Sequence, residues 1–370
     1  MKLGFFAQTD AIVFAVKAFD PVDISIPDTR TTPRLPILRI LSVMGLLLAS
    51  ILLLGKIAHA QSERQIGLND LLDAVVGIDT RIPANARTAP TLGMTREGSG
   101  VVISEDGLVL TIGYLILEAL EIDIVLTDGR KIPAAFVTYD HESGFGLVRA
   151  ASALDVTPVS FGSSDKTGVS TQVLLANRHG AGGAQGVFVV DRREFAGAWE
   201  YLLDSAIFTS PPNPNFSGAA LFNAEGQLVG IGSLFVGNAR FVRQPVPGNM
   251  FVPIDELKPI LNDMVSDGRR AGPARPWLGI FPAELRDRVF IDRVASGSPA
   301  AKAGVQPGEL IITVDAMPVA SMAGYFRAIW RDRMAGDSVR LGLLTAEGQM
   351  RNVTIESMDR RNWLKLDRSL

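Results

Sequence analysis

The side chains able to carry covalent or acid–base chemistry are few. The chain has no cysteine, which removes thiolate nucleophiles, disulfides, iron–sulfur clusters and cysteine zinc sites together. It has three histidines, His59, His141 and His179, so any mechanism that needs an imidazole must use one of them. No spacing of His, Asp and Glu suggests a metal site, and no motif calls for a cofactor. What remains is hydroxyl chemistry. A serine needs a base to take its proton and backbone N–H groups to stabilise an oxyanion. Lys131 and Lys166, the mid-chain lysines available for a serine–lysine pair, both sit in turn-like sequence.

The composition suits a chain with a good core. It has 370 residues, 47% of them hydrophobic and 20% charged, enough for two domains and a leader. The net charge of −3, and the lack of any basic stretch rich in aromatics, exclude a nucleic-acid surface.

Residues 1–60 read as that leader. Residues 40–55 carry no charge, follow Arg30, Arg34 and Arg39, and are followed by Ala58-His59-Ala60. A basic flank, an apolar run and a small-x-small site make a secretory signal. As a helix the run would extend roughly 24 Å at ~1.5 Å per residue, short of a hydrocarbon core of roughly 30 Å. Arg39 and Lys56 could extend it to an anchor in the inner membrane by snorkelling. Cleaved signal and retained anchor both place the rest of the chain outside the cytoplasm.

From residue 66 to 265 short apolar runs recur between Gly and Asp turns. They are Val101–Ile103, Leu108–Thr111, Ile122–Leu126, Ala135–Val137, Gly146–Val148, Val173–Ala176, Val187–Val190, Leu228–Ile231 and Met250–Val252; Leu68 to Val76 is a short helix or a first strand. Many short strands of this kind predict an all-β sandwich or barrel. Ser266 to Pro276 reads as a linker. Beyond it, Ser298 caps a short helix begun by Pro299, Gly304 ends that helix, and Pro307-Gly308 turns into a strand at Leu310–Val314. Residues 276–357 make this last domain, α+β, and 358–370 are expected to be a loose, charged tail.

Three stretches carry a resemblance. GSGVVISEDGLVLT (98–111) resembles the opening hairpin of the HtrA family of extracytoplasmic serine proteases, NPNFSGAAL (213–221) its nucleophile loop, usually NPGNSGGPL, and FNAEGQLVGIGS (222–233) the hairpin that follows. SPAAKAGVQPGELIITVDAMPV (298–319) resembles bacterial PDZ domains. The resemblance implies a mainly β chain: a trypsin-like double β-barrel over 66–265 and a PDZ domain over 276–357. It places the nucleophile at Ser217 and the oxyanion N–H groups at Asn215 and Ser217. The family histidine falls on Tyr114, in TIGYLI where the family has a THNHVV-type sequence, and the family aspartate falls on Gly144, in DHESGFG. Two members of the triad are therefore replaced. Loss of the serine or the histidine alone costs about 10⁶-fold in turnover in subtilisin, so the resemblance implies a catalytically impaired or inactive member. The alternative is an active endopeptidase that uses Ser217 with a non-standard base.

In the PDZ domain the resemblance assigns carboxylate capture to Trp277, Leu278, Gly279 and Ile280, with the peptide adding as a strand. The implied partners are protein C-termini or unfolded chains. The implied role is adaptor, chaperone or regulator in envelope quality control at the periplasmic face of the inner membrane of a bacterium. A homo-trimer, or a mixed oligomer with active relatives, is implied as well; a third reading makes the chain a scaffold with one fixed partner.

Overall fold

The structure, a computed structural model, describes residues 67–198, 201–240 and 244–366; the leader lies outside them. The described residues form a single unit. A short helix α1 (Leu68–Asp73) leads into β1 (Val75–Arg81), which resolves the expectation of helix or strand there into one of each. With β2 (Thr95–Val102), β3 (Leu108–Ile112), β4 (Glu121–Val125), β5 (Lys131–Tyr139) and β6 (Phe145–Ala150), β1 closes a first antiparallel barrel in the order β1-β2-β3-β6-β5-β4. A second barrel closes in the order β10-β11-β12-β9-β8-β7. Its strands are β7 (Gln172–Ala176), β8 (Gln185–Gly197), β9 (Tyr201–Ser210), β10 (Ala220–Phe222), β11 (Leu228–Arg240) and β12 (Val246–Pro253). Closure leaves no open edge, and inward residues such as Val109, Leu147, Leu175 and Val229 are fully buried.

A helix α2 (Ala89–Leu92) lies in the connection between β1 and β2. Beyond the second barrel, α3 (Leu261–Ser266) precedes the linker. The last domain is a sheet in the order β13-β14-β15-β17-β18, with β13 (Ile280–Leu285), β14 (Arg288–Val294), β15 (Leu310–Val314), β17 (Ser338–Leu344) and β18 (Met350–Glu356), and a short β16 (Met317–Pro318) on β15. Helices α4 (Pro299–Lys302) and α5 (Met322–Trp330) complete it. Ser298 accepts from the Ala301 N–H and Ser321 from the Gly324 N–H, so both helices start on serine caps. Phe326 is fully buried against this sheet. The fold is mainly β with few helices, as the alternation predicts.

The segment after residue 357 departs from the expected loose tail. Met358 forms a two-way backbone bridge with Trp277, at 2.9 and 3.1 Å. Helix α6 (Arg360–Trp363) follows, and Trp363 and Leu364 are 8% and 6% exposed. They join Leu117 and Tyr139 of the first barrel and Trp277, Phe281 and Ala295 of the PDZ domain in one apolar cluster. A tryptophan, two leucines and a methionine make the segment sticky, and its charged residues find partners at the rim.

Candidate active site

Strand β3 ends in a 3₁₀ turn, Gly113–Leu115, which carries Tyr114 out of the first barrel towards the second. The loop between β9 and β10 brings Ser217 to meet it. Both barrels hold that loop: the Ser99 N–H donates to the Ser217 carbonyl at 2.8 Å, and the Gly218 N–H to the Gly232 carbonyl at 2.8 Å. Behind it lies a buried knot of amides. The Asn213 N–H donates to Asn249 Oδ1 at 2.7 Å, and Asn177 Nδ2 lies 3.4 Å from Asn213 Oδ1. The structure thus brings together Ser217, Tyr114 and Gly144 from three places in the sequence.

The Tyr114 hydroxyl lies 2.9 Å from Ser217 Oγ and 2.9 Å from the Ser233 carbonyl. A carbonyl only accepts, and a phenol has one hydrogen. With that hydrogen on Ser233, Tyr114 can meet Ser217 only as the acceptor of the serine proton. It is a weak acceptor. Burial pushes its pKa well above the ordinary phenol value, with the Ser217 hydrogen bond opposing. It is neutral at any physiological pH.

Among the described residues no carboxylate hydrogen-bonds to it. Gly144 has φ of +86°, and a Cβ there would sit 3.5 Å from Ile112 Cδ1 and 3.5 Å from Tyr201 Cε1. The side of Gly144 that an aspartate would occupy therefore faces a second phenol, Tyr201. Its hydroxyl lies 2.9 Å from Ser233 Oγ, and burial raises its pKa too, with the Ser233 bond opposing. Asp140, the other acid of that stretch, is turned away. It accepts from Ser143 Oγ and from Arg270.

Of the two N–H groups assigned to the oxyanion, one is engaged. Asn215 N–H donates to Asn213 Oδ1 at 2.8 Å, and Asn215 does not adopt left-handed backbone. The Ser217 N–H donates to no group of the described residues. Among the described residues no other base reaches the serine: His179 is exposed beside the 3₁₀ turn Gly180–Gly182, Lys131 pairs with Asp79 at 2.9 Å, and Lys166 is exposed. His141 is half-buried in the turn before β6. Tyr201 carries no signal in the sequence that marks it as a member of this site, and the closure of the second barrel brings it there; Asn213 and Ser233 lie within the two resembling stretches, which give them no role of their own.

In the PDZ domain, Trp277 is 2% exposed, and its ring packs at a tilt against that of Trp363, centroids 4.9 Å apart. The N–H groups of Leu278 and Gly279 donate to no group of the described residues. Gly279 has φ of +80°, and a Cβ there would lie 2.2 Å from Ser298 Cβ, so only glycine fits. Ile280 opens β13, the edge strand of the sheet, and is fully buried.

These features define a trypsin-like peptidase domain followed by a PDZ domain, and the chain is HtrA-like. The family model described as a trypsin-like peptidase domain matches residues 98–231, and that of the PDZ domain matches 290–343. The chain is 28% identical to the serine protease PepD of Mycobacterium tuberculosis over 74% of its own length and 63% of that protein's. It is 29% identical to the periplasmic serine endoprotease DegP of Escherichia coli over 70% of its length and 56% of that protein's. It therefore spans less than two thirds of the length of either relative. Among solved structures, the HtrA-type protease AlgW with a decapeptide aligns at a TM-score of 0.47 and 20% identity, covering 81% of this chain and 98% of that one.

Proposed function

We propose that the barrel domain does not hydrolyse peptide bonds and that the chain acts by binding polypeptides through its PDZ domain. The observation that carries this reading is the 2.9 Å contact of Ser217 Oγ with a tyrosine, where an imidazole would be needed. A buried phenol with a raised pKa neither takes the serine proton nor returns it to a leaving amine. The engagement of the Asn215 N–H and the lack of an acid at Gly144 support the same reading.

The binding function rests on the loop Trp277–Ile280, whose free N–H groups at Leu278 and Gly279 suit a terminal carboxylate. The outer edge of β13 is open to an added strand, although Pro282 has no N–H to offer along it. The role that follows is adaptor, chaperone or regulator in envelope protein quality control, at the periplasmic face of a bacterial inner membrane. The names of the relatives DegP and DegQ, both periplasmic endoproteases, support that compartment. Those same names favour a second reading, an active endopeptidase in which Ser217 uses a base recruited on substrate binding.

One experiment separates them. Wild type and Ser217→Ala are treated with a fluorophosphonate probe and assayed for casein turnover, with Gly279→Ala as a binding control. The proposal expects no labelling and no turnover in any of the three, and peptide binding in the first two only. Serine-dependent labelling and cleavage would establish the second reading.

A further inference from the structure

One cavity is neither the Ser217 oxyanion side nor the groove along β13. It has a volume of about 490 Å³ and lies between the first barrel, the PDZ domain and the segment that carries Trp363. That is within the range of roughly 300–1,000 Å³ usual for small-molecule sites. Its deep walls are apolar and buried: Ile112, Leu117, Tyr139 and Tyr201 from the barrels, Phe281 from β13 and Trp363 from α6. Tyr114 and Gly144 also line it, so the cavity extends to the place where the acid–base pair of a working protease would stand.

The charge on its lining has one sign. The charged residues among the lining are Arg87, Arg293 and Arg360, with no aspartate or glutamate. Arg87 and Arg293 are exposed residues, and each guanidinium lies over an aromatic wall. Arg87 is 5.5 Å from the centre of the Trp363 ring, and Arg293 is 4.4 Å from that of Phe281. Arg293 also donates to Thr91 Oγ1 at 3.1 Å and has Asp292 3.5 Å away, while Arg87 has no carboxylate within ion-pairing reach among the described residues. An apolar interior with exposed cations at its rim is complementary to a molecule with a greasy body and one negative end.

We propose that this cavity binds a single-chain anionic amphiphile of the class of a long-chain carboxylate, its tail against Leu117, Tyr139, Phe281 and Trp363 and its head against Arg87 and Arg293. An acyl chain suits the interior better than a peptide. Each buried amide of a peptide would need a partner, and the Tyr114 and Tyr201 hydroxyls are already engaged with Ser217 and Ser233. The site does not depend on whether Ser217 is active, and it goes beyond the binding of C-termini by the PDZ loop.

The test uses the full chain and dodecanoate bearing a photoreactive diazirine in its tail, with the labelled residues mapped by mass spectrometry. Labelling confined to 84–92, Tyr139, Phe281, 293–296 and Trp363 is the expected result. Ala295→Phe, which fills the cavity, is expected to abolish it. Arg293→Glu, on an exposed side chain, keeps the test valid should the filled variant not fold, and is expected to weaken dodecanoate binding about tenfold. Dodecyltrimethylammonium, with the same tail and the opposite charge, is expected not to compete. Labelling elsewhere only, equal competition by the cationic amphiphile, or displacement by a short peptide with an apolar C-terminus but not by unlabelled dodecanoate would each overturn the proposal.

Discussion

A phenol in the place of an imidazole changes where the serine proton can go. Tyr114 bridges the barrels by touching Ser217 Oγ and the Ser233 carbonyl at 2.9 Å each, and Tyr201 braces Ser233 from the other side. These contacts make Tyr114 a strut between the two barrels. Tyr114→Phe keeps the ring and removes both contacts, leaving a buried carbonyl short of a donor. It is expected to cost about 1–2 kcal/mol in urea denaturation and to leave casein turnover unchanged. His141 adds a pH dependence. Its pKa is held down to about 4 from the ordinary 6.5, chiefly by burial, with Arg360 and Arg270 adding and Asp140 and Asp359 opposing. The unfolded chain takes up this proton more readily than the folded one, so the contribution is complete above pH 6.5 and lost as the pH falls towards 4. His141→Gln is expected to flatten that part of the stability profile, read from denaturant midpoints across the interval. The positions of Ser217, Tyr114 and Gly144 were legible because they follow recognisable stretches in order. Tyr201 was not, because what makes it a neighbour of Gly144 is the closing of a different barrel.

Among the elements, Glu118 shows how loops of this fold are tied. It is 6% exposed, and its carboxylate accepts from the N–H groups of Arg87, Thr88 and Lys365 and from Thr88 Oγ1, at 2.7 to 3.0 Å. Arg96, itself buried, donates to the Tyr114 and Leu117 carbonyls at 2.7 and 3.0 Å and is attracted by the Glu118 charge. One acid therefore fixes the β1–β2 connection, the turn bearing Tyr114 and the closing segment. Glu118→Ala strands several donors and a buried cation. It is expected to cost about 3–5 kcal/mol, with faster hydrogen exchange at the Lys365 amide as its local sign. All nine apolar runs named in advance fall on barrel strands. The strands left out are the ones whose pattern is least apolar or shortest. Tyr201–Ser210 mixes Asp204, Ser205 and Thr209 into its run, and Ala220–Phe222 is three residues long. Pairing with longer neighbours makes them strands, and a local window does not see pairing.

At the scale of the whole molecule, a two-domain chain is by default expected to move about its linker unless the interface is large and apolar. Here the closing segment supplies such an interface. Trp363 packs at a tilt against Trp277 of the PDZ domain and donates to the Ser296 carbonyl at 3.0 Å, while Arg361 reaches Thr138 of the first barrel at 3.0 Å and Lys365 Nζ the Asn85 carbonyl at 2.7 Å. Its composition reads as a tail because five residues from Asp359 to Lys365 are charged or amide-bearing; the two large apolar side chains among them decide the outcome, since burying each contributes about 2–3 kcal/mol. Ending the chain at Ser357 removes both of these side chains, the bridge from Met358 and the ties to the barrel, and leaves the barrel and PDZ cores intact. The full chain is expected to melt in one calorimetric transition and the shortened one in two, with Trp277 fluorescence following the PDZ transition alone. A single transition at an unchanged midpoint in the shortened chain would mean that the direct contacts between barrel and PDZ domain, such as those of Arg327 with Glu194 and Asp204, couple them without the closing segment.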